Sequence, residues 1–283
     1  MKNSDSIIDD IYVPTNGTTN YVLKHPNYFF ENIIPLIDLI ETYQGEGPNC
    51  GKKMVLTRFK RCNKSCPFCD TQKMMKNLEP KLYSLKDVSL LLKTSPNLMI
   101  TGGEPTLDVR HVINSDTKEY TPTQLELTQL MAYYLNYQFL DIETNGYNII
   151  QLLRNLTHFD YPAKGDINIS WSPKFVDTND YNANIETLKQ ILNVEKGYLV
   201  HGSEYKRMIR PIIKIVISDD LEEYKSFIYN AILTYKFDPY RVYLMPKGTT
   251  IDEINDSMKD VLKVASDLGC NISSRLHIIH NFS

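Results

Sequence analysis

Short apolar runs rich in β-branched residues alternate along the chain with longer segments of helical periodicity. The runs predict strands at 36–43, 53–59, 97–101, 138–143, 167–171, 212–217 and 240–245. The segments between them predict helices at 84–94, 122–137, 147–157, 183–195, 220–236 and 252–268. Ser84, followed three residues later by Asp87, predicts the start of the first helix. Thr121 ahead of Pro122 predicts the start of the second.

This alternation of strands and helices predicts an α/β fold. Parallel strands need crossover connections, which are right-handed, so we expect a mostly parallel sheet that is closed or partly closed into a barrel. The regular pattern begins near Pro35. We therefore divide the chain into an N-terminal extension, 1–32, and one core domain, 33–283.

Polar motifs follow four of the predicted strands at their carboxyl ends. They are Thr-Gly-Gly-Glu-Pro at 101–105, Glu-Thr-Asn-Gly at 143–146, Ser-Pro-Lys at 172–174 and Met-Pro-Lys-Gly at 245–248. The carboxyl edge is where open α/β sheets and barrels place their ligand sites. The motifs therefore predict one site that is built from several strand-end loops.

Composition and charge exclude some functions without defining one. The chain has 283 residues, 42% of them hydrophobic, with a net charge of −3 and a pI of about 6.1. Because these values give no positive field, we expect no direct binding of nucleic acid. The first thirty residues carry acidic side chains where a signal peptide would be basic and apolar, and no run reaches the roughly 18–20 apolar residues of a membrane helix. We expect a cytoplasmic protein with no membrane partner.

Cys62, Cys66 and Cys69 form a C-x3-C-x2-C motif in a chain that has five cysteines. In a reducing compartment such clustering indicates metal or redox chemistry more than disulfides. Three thiolates on one loop can hold three irons of a 4Fe-4S cubane and leave the fourth iron open. The alternative is a structural zinc site completed by Cys50 or a histidine, although zinc ligands usually come in two pairs. We interpret Cys50 and Cys270 as ordinary small apolar residues.

Further motifs accompany the cysteines in a fixed order. Tyr-Gln-Gly-Glu-Gly at 43–47 precedes them, Arg58 lies four residues ahead of Cys62, and Thr71 follows Cys69-Asp70. With the four strand-end motifs, this order resembles the 7-carboxy-7-deazaguanine synthase family of radical S-adenosylmethionine enzymes, from about residue 36 to about residue 277. The specific part is Gln-Gly-Glu-Gly together with Cys-Asp-Thr, because Gly-Gly-Glu is shared by much of the superfamily.

The resemblance implies a partial, incomplete β/α barrel of the radical S-adenosylmethionine type and a lyase activity. Such enzymes convert 6-carboxy-5,6,7,8-tetrahydropterin to 7-carboxy-7-deazaguanine with release of ammonia, in deazapurine biosynthesis of the queuosine type. The implied cofactors are a 4Fe-4S cluster, S-adenosylmethionine and Mg2+, and the catalyst is the cofactor-borne radical, not a side chain. The implied partners are the pterin, an external electron donor and a second copy of the chain in a homodimer.

The resemblance also implies site residues by position. The cluster ligands would be Cys62, Cys66 and Cys69, and Thr71 would hold Mg2+. The implied contacts to S-adenosylmethionine are Phe68, Cys69, Gly103, Glu104, Ser172, Pro173, Lys174, Met245 and Pro246. The implied contacts to the substrate are Tyr43, Gln44, Gly45, Arg58 and Thr101. The planar Arg58 guanidinium suits the substrate carboxylate, and many relatives carry glutamine in place of Met245.

Two other functions share part of this pattern. A glycyl-radical-enzyme activase would use the cysteine loop and Gly-Gly-Glu but has no need of Arg58 or Thr71. A non-catalytic, zinc-stabilised binding module would need only the thiols and would be colourless. Lys174 and Lys214, taken singly, are typical of solvated lysines, and His277 aligns loosely with a C-terminal histidine of the family.

Overall fold

The computed structural model describes residues 29–67, 69, 71, 75–114, 116–157, 165–200, 209–218 and 220–280. Most of the predicted extension, 1–32, therefore lies outside the described residues, as does Phe68. Within the described part, Phe29 packs on the core while Phe30 is 67% exposed.

Strands alternate with helices throughout the described part of the chain. The strands are β1 Ile34–Leu36, β2 Asp38–Tyr43, β3 Lys53–Phe59, β4 Lys81–Tyr83, β5 Asn97–Gly102, β6 Val112–Asn114, β7 Glu119–Tyr120, β8 Phe139–Thr144, β9 Asp166–Trp171, β10 Ile209–Ile217, β11 Val242–Pro246 and β12 Asn271–Ile272. The helices are α1 Leu85–Leu92, α2 Gln124–Tyr134, α3 Ile149–Thr157, α4 Asp180–Val200, α5 Glu222–Tyr229, α6 Ile251–Leu268 and α7 Leu276–Ile279. A π-helical turn, Asn230–Thr234, extends α5, and single 3-10 turns lie at Gly47–Asn49 and Pro239–Arg241. None of the helices in these described segments has the length and apolarity needed to cross a membrane.

One eight-stranded sheet organises the fold, with the strand order β12-β11-β10-β9-β8-β5-β3-β2. All neighbours from β3 to β12 pair in parallel, and only β2 is antiparallel to its neighbour β3. Each new strand is added on the same side of the previous one. With right-handed crossovers, this order places the helices on a single face of the sheet.

The two faces of the sheet differ in chemistry because successive side chains of a strand point in opposite directions. On the helix-covered face, Leu140 and Ile142 of β8 belong to the main apolar core, which also contains helix residues such as Leu127 and Leu152. The other face carries polar side chains from β3, β5, β8, β9 and β10. They are Arg58, Thr101, Asp141, Glu143, Asn168, Ser170 and Lys214.

The structure confirms an α/β fold with a mostly parallel sheet. The sheet is open in its strand pairing, because its edges β2 and β12 pair only with their inner neighbours. No closed barrel is formed by these described strands. All seven predicted strands and all six predicted helices have counterparts in the structure.

Two boundaries differ from the sequence prediction, and a third is confirmed. The predicted strand 36–43 is divided at Ile37, because β1 pairs with β4 while β2 pairs with β3. The predicted helix start at Thr121 is wrong: the N-cap is Thr123, which forms a capping box with Glu126. The predicted start at Ser84 is confirmed by the same reciprocal pair of hydrogen bonds with Asp87.

Candidate active site

The loops that carry the sequence motifs meet at the carboxyl edge of the parallel sheet. The cysteine loop follows β3, Gly103-Glu104 follows β5, Asn145-Gly146 follows β8, Ser172–Lys174 follows β9 and Lys247-Gly248 follows β11. Since β3, β5, β8, β9 and β11 all run in the same direction, their ends lie at one edge. The predicted clustering of the motifs is therefore found in the structure.

The cysteine loop presents three thiols that form no disulfide among the described residues and are all partly buried. The Cys69 amide donates to the Cys66 carbonyl at 3.1 Å, and the Lys64 amide donates to Cys62 Sγ at 3.4 Å. Burial raises the pKa of the Cys62 and Cys66 thiols, and the charge of Cys69 raises both further. A bound cation or cluster would favour the thiolate forms of Cys62 and Cys66.

The donor types of the cysteine loop fit an iron–sulfur cluster, whose irons are normally bound by cysteine thiolates. Among the described side chains, no group of three or more His, Cys, Asp or Glu is arranged to hold a metal ion. A cubane places each cysteine on a different iron, so the sulfurs need not converge on one point as zinc ligands must. Cys50 and Cys270 lie away from this loop: Cys50 Sγ contacts the Gly45 carbonyl at 3.3 Å, and Cys270 packs on the main core.

Gly102 and Gly103 let the end of β5 approach the start of the cysteine loop. The Gly103 amide donates to the Phe59 carbonyl, and the Glu104 amide donates to the Arg61 carbonyl, both at 2.8 Å. A Cβ at Gly103 would lie 2.0 Å from the Arg61 carbonyl oxygen, which no side chain can accept. This motif therefore fixes the backbone directly ahead of Cys62.

Glu104 is fully buried and joins the loops that follow β5 and β8. Its Oε1 accepts hydrogen bonds from Thr106 Oγ1 at 2.7 Å and Thr144 Oγ1 at 2.6 Å, and its Oε2 accepts from the Asn145 amide at 2.6 Å. Burial raises the pKa of this carboxyl, although the hydrogen bonds from Thr106 and Thr144 act in the opposite direction. In the structure Glu104 organises the site edge, and its contact with S-adenosylmethionine stays a prediction.

A salt bridge ties the cysteine loop to the Ser172–Lys174 loop. Lys64 Nζ lies 2.5 Å from Asp180 Oδ1 at the start of α4, and Asn184 of the same helix donates to the Lys174 carbonyl at 2.8 Å. The Ser172 amide donates to the Thr144 carbonyl at 2.8 Å, which fixes the other side of this loop. Sequence reasoning did not select Asp180, because its partner is 116 residues away.

Arg58 and Thr101 are register neighbours on the polar face of the sheet. Arg58 Nε lies 2.8 Å from Asp38 Oδ2, and the Arg58 side chain is 11% exposed. The two groups form an ion pair, but Arg58 Nε makes no hydrogen bond in the structure. Thr101 Oγ1 donates to Glu143 Oε2 at 2.9 Å, so both predicted substrate contacts lie beside carboxylates of the chain itself.

Lys214 is buried in the middle of the polar face, contrary to its interpretation as a solvated lysine. Its side chain is 4% exposed, and Nζ lies 2.6 Å from Glu143 Oε1 and 2.9 Å from Glu46 Oε2. Burial would lower the lysine pKa, but the two carboxylates override it and the pKa is raised. Burial likewise opposes the charge of Glu46, yet Lys214 and Arg275 keep its pKa lowered. The pKa shifts of Lys214 and Glu46 therefore both favour their charged forms.

Gln44 reaches a second polar cluster around Asp141. Gln44 Nε2 donates to Asp141 Oδ2 and to Glu143 Oε1, each at 3.3 Å. Asn49 and Asn168 donate to Asp141 Oδ1 at 2.7 Å and 2.9 Å. Burial raises the pKa of Asp141, against these hydrogen bonds. The predicted substrate residue Gln44 is thus held by groups that sequence reasoning did not select.

The 43–47 segment also meets the C-terminal part of the chain. A Cβ at Gly45 would lie 2.3 Å from His277 Nδ1, and the Leu276 amide donates to the Gly45 carbonyl at 3.0 Å. Close packing against His277 therefore favours glycine at position 45, whether or not a ligand binds there. Tyr43 lies on edge strand β2 and is 54% exposed, so its side chain is not enclosed with the polar cluster.

The remaining predicted site residues lie at the same edge with less defined surroundings. Thr71 is partly buried two residues after Cys69, and Met245 and Pro246 are buried at the end of β11. Phe68 lies outside the described residues. The predicted roles of Thr71, Met245 and Pro246 in ligand binding stay predictions.

The comparisons with known proteins agree on one family. The chain is 34% identical over 162 residues to the 7-carboxy-7-deazaguanine synthase of Haemophilus influenzae, covering 56% of this chain and 62% of that protein. It is 31% identical over 180 residues to the enzyme of Neisseria meningitidis serogroup B, covering 62% of this chain and 70% of that protein. A longer match, 22% identical over 251 residues, covers 94% of the Pyrobaculum aerophilum enzyme. No protein-family model matches the chain.

The crystal structure of QueE from Escherichia coli has a similar fold, with a TM-score of 0.51 and 19% identity over 86% of this chain and 94% of that one. The parallel α/β sheet with a three-thiol loop at its carboxyl edge places the chain in the radical S-adenosylmethionine class. Within that class, the chain belongs to the 7-carboxy-7-deazaguanine synthase family. The alignment spans less than two thirds of the Haemophilus protein and 70% of the Neisseria protein.

Proposed function

We propose that the chain is a lyase that converts 6-carboxy-5,6,7,8-tetrahydropterin to 7-carboxy-7-deazaguanine and ammonia. The observation that carries the proposal is the placement of the C-x3-C-x2-C loop at the same sheet edge as the polar face with Arg58 and Thr101. Family membership supports the same reaction. A glycyl-radical-enzyme activase would have no use for an enclosed polar face of this kind.

The residues of the chain have separable roles in this proposal. Cys62, Cys66 and Cys69 would hold the 4Fe-4S cluster, and the cluster with S-adenosylmethionine supplies the radical chemistry when bound. The Gly103-Glu104 and Ser172–Lys174 loops border the cysteine loop and would hold S-adenosylmethionine against it. The remaining work of the protein is to bind and orient the pterin.

The polar face offers matching groups for a carboxylated pterin. Arg58 presents a guanidinium that lies beside Asp38 and would bind the substrate carboxylate through its planar donor edge. Gln44 can both donate and accept at the edge of a pterin ring. Thr101 lies between Arg58 and Glu143, so it would contact the ring close to the carboxylate.

The sheet geometry supports a partial barrel around this face. A flat sheet of eight strands would separate its edge strands by about 34 Å, seven spacings of roughly 4.8 Å. Yet the Gly47 amide, just after β2, donates to Ser273 Oγ, just after β12, at 2.7 Å. We infer that the sheet curves and that its polar face is the concave one, as the incomplete barrel requires.

The experiment that tests the function uses the anaerobically reconstituted protein. It is incubated with the carboxytetrahydropterin, S-adenosylmethionine, Mg2+ and dithionite, and products are identified by mass. We expect 7-carboxy-7-deazaguanine and ammonia, from a brown protein. A colourless zinc protein, or a brown protein that cleaves S-adenosylmethionine but leaves the pterin unchanged, would contradict the proposal.

Arg58→Lys is expected to weaken pterin binding by roughly ten- to a hundredfold. A point charge cannot replace the planar donor fork, and charge-assisted hydrogen bonds contribute about 1.5–3 kcal/mol. Equilibrium dialysis under anaerobic conditions measures the dissociation constant. Lys53→Met is the matched control, since Lys53 lies on the same strand in an exposed pair with Glu41. Normal pterin affinity in Arg58→Ala would assign Arg58 a structural role.

The Mg2+ proposal concerns Thr71, whose hydroxyl would bind the ion together with substrate oxygens. Removal of divalent metal is expected to slow turnover of the pterin while reductive cleavage of S-adenosylmethionine continues. Thr71→Ala should behave like metal removal, and Mn2+ should replace Mg2+ in the wild type. Turnover that is indifferent to both chelator and Thr71→Ala would rule out this site.

Three further parts of the proposal concern the surroundings of the enzyme. We infer an external one-electron donor for the cluster, a homodimeric assembly as the family resemblance implies, and a cytoplasmic location.

A further inference from the structure

Lys214 of β10 bridges two carboxylates that come from distant parts of the chain. Its Nζ lies 2.6 Å from Glu143 Oε1 and 2.9 Å from Glu46 Oε2, and its side chain is 4% exposed. A lysine this deeply buried is tolerated only because both carboxylates compensate its charge. Without it, two negative charges would face each other in a water-poor region.

Glu143 connects Lys214 to two of the predicted substrate contacts, Thr101 and Gln44. Its Oε2 accepts from Thr101 Oγ1 at 2.9 Å, and its Oε1 accepts from Gln44 Nε2 at 3.3 Å. Both side chains therefore share one acceptor, and the position of that acceptor is set by the ammonium. Rotation of the carboxylate would move the two donors together.

Glu46 connects Lys214 to the C-terminal segment, 273–280. Its Oε1 accepts from Arg275 Nε at 3.0 Å, and Arg275 Nη1 donates to the Gly248 carbonyl at 2.6 Å. Beside this ion pair, Gly47 N donates to Ser273 Oγ at 2.7 Å. The 44–47 loop is thus fastened to the C-terminal segment at the edge of the polar face.

We infer that Lys214 is the positioning residue of the substrate site, and that it holds Gln44 and Thr101 through Glu143 and the C-terminal segment through Glu46. Lys214 Nζ joins the two carboxylates directly, and the Glu46 amide, which donates to Gln44 Oε1 at 3.2 Å, gives a second and weaker link between them. The part of the inference that concerns the pterin rests on the proposed function. The part that concerns the C-terminal segment does not.

The first test follows backbone amides of the reconstituted holoenzyme by hydrogen–deuterium exchange. In Lys214→Met we expect amide exchange at least tenfold faster in 44–49 and 273–280, because Glu46 and Glu143 lose the ammonium group that holds them in place. Exchange in α6 should be unchanged. Lys214→Met/Glu143→Gln removes one of the opposed carboxylates, keeps the Glu46–Arg275 ion pair, and should recover part of the protection. Lys189→Met, in an exposed pair with Glu186, is the control and should match the wild type. Unaltered exchange in both segments of a folded Lys214→Met would overturn the inference.

The second test measures the substrate side in the same variants. Lys214→Met should lower kcat/KM for the pterin by about a hundredfold, the scale of a broken buried ion pair, while S-adenosylmethionine cleavage without pterin stays within about threefold of the wild type. Lys214→Arg, which keeps the charge, should recover part of the loss. Equal losses of cleavage and turnover would indicate a general structural defect and contradict the positioning role. If the wild type itself does not convert the pterin, the proposed function fails, and the exchange data alone decide for or against Lys214.

Discussion

Replacing Cys62, Cys66 or Cys69 with alanine is expected to remove the iron–sulfur absorbance and to reduce turnover below detection. Each thiolate would bind a separate iron of the cubane, and the described part of the loop offers no other sulfur to replace it. Absorbance near the charge-transfer bands, iron content and product formation measure the effect. The fold should persist, because all three cysteines are only partly buried and lie outside the main core.

Cys50→Ala and Cys270→Ala provide the matched controls for the cluster assignment. Cys270 packs on the main core, and burial raises the pKa of its thiol to about 12, so it stays protonated and is a poor ligand. Both controls should keep their iron and their activity. A stable cluster without Cys66, or loss of the cluster without Cys50, would contradict the assignment.

Gly103→Ala is expected to reduce cluster loading and turnover by more than a hundredfold. The new methyl group would lie 2.0 Å from the Arg61 carbonyl oxygen and 2.8 Å from that of Lys60. Both are backbone atoms directly ahead of Cys62, so relief of the clash must displace the cysteine loop. Iron content after reconstitution and the melting temperature of the protein report the two parts of the effect.

Gly269→Ala is the control for the glycine substitution itself. Gly269 ends α6 with a φ of +70°, and no atom lies within 4 Å of the position of its Cβ. Alanine there costs roughly 1–2 kcal/mol from the left-handed backbone alone and should leave cluster loading unchanged. Full iron content and normal turnover in Gly103→Ala would show that the close approach to Arg61 is not required.

The sequence by itself determined the elements and the edge at which the site forms. Periodicity of apolar residues placed seven strands and six helices correctly, because local patterning dictates which segments can bury one face. The parallel order then placed the motifs after β3, β5, β8, β9 and β11 at one edge. The cysteine loop could be recognised from the sequence because its three cysteines lie within eight residues, so their proximity does not depend on the fold.

Only the tertiary structure decided which polar side chains face each other. Lys214 is 71 residues from Glu143, and Arg275 is 229 residues from Glu46, so no local pattern links these partners. From the sequence alone, a lysine on a strand is predicted to be exposed to solvent, because the sequence does not show which segments pack on each face of the sheet. The helices cover only one face, and the other face closes on the 44–47 loop and the C-terminal segment. Lys214 is therefore buried and not exposed on a surface. A buried ammonium group is stable only when nearby carboxylates compensate its charge, and Glu46 and Glu143 do so here.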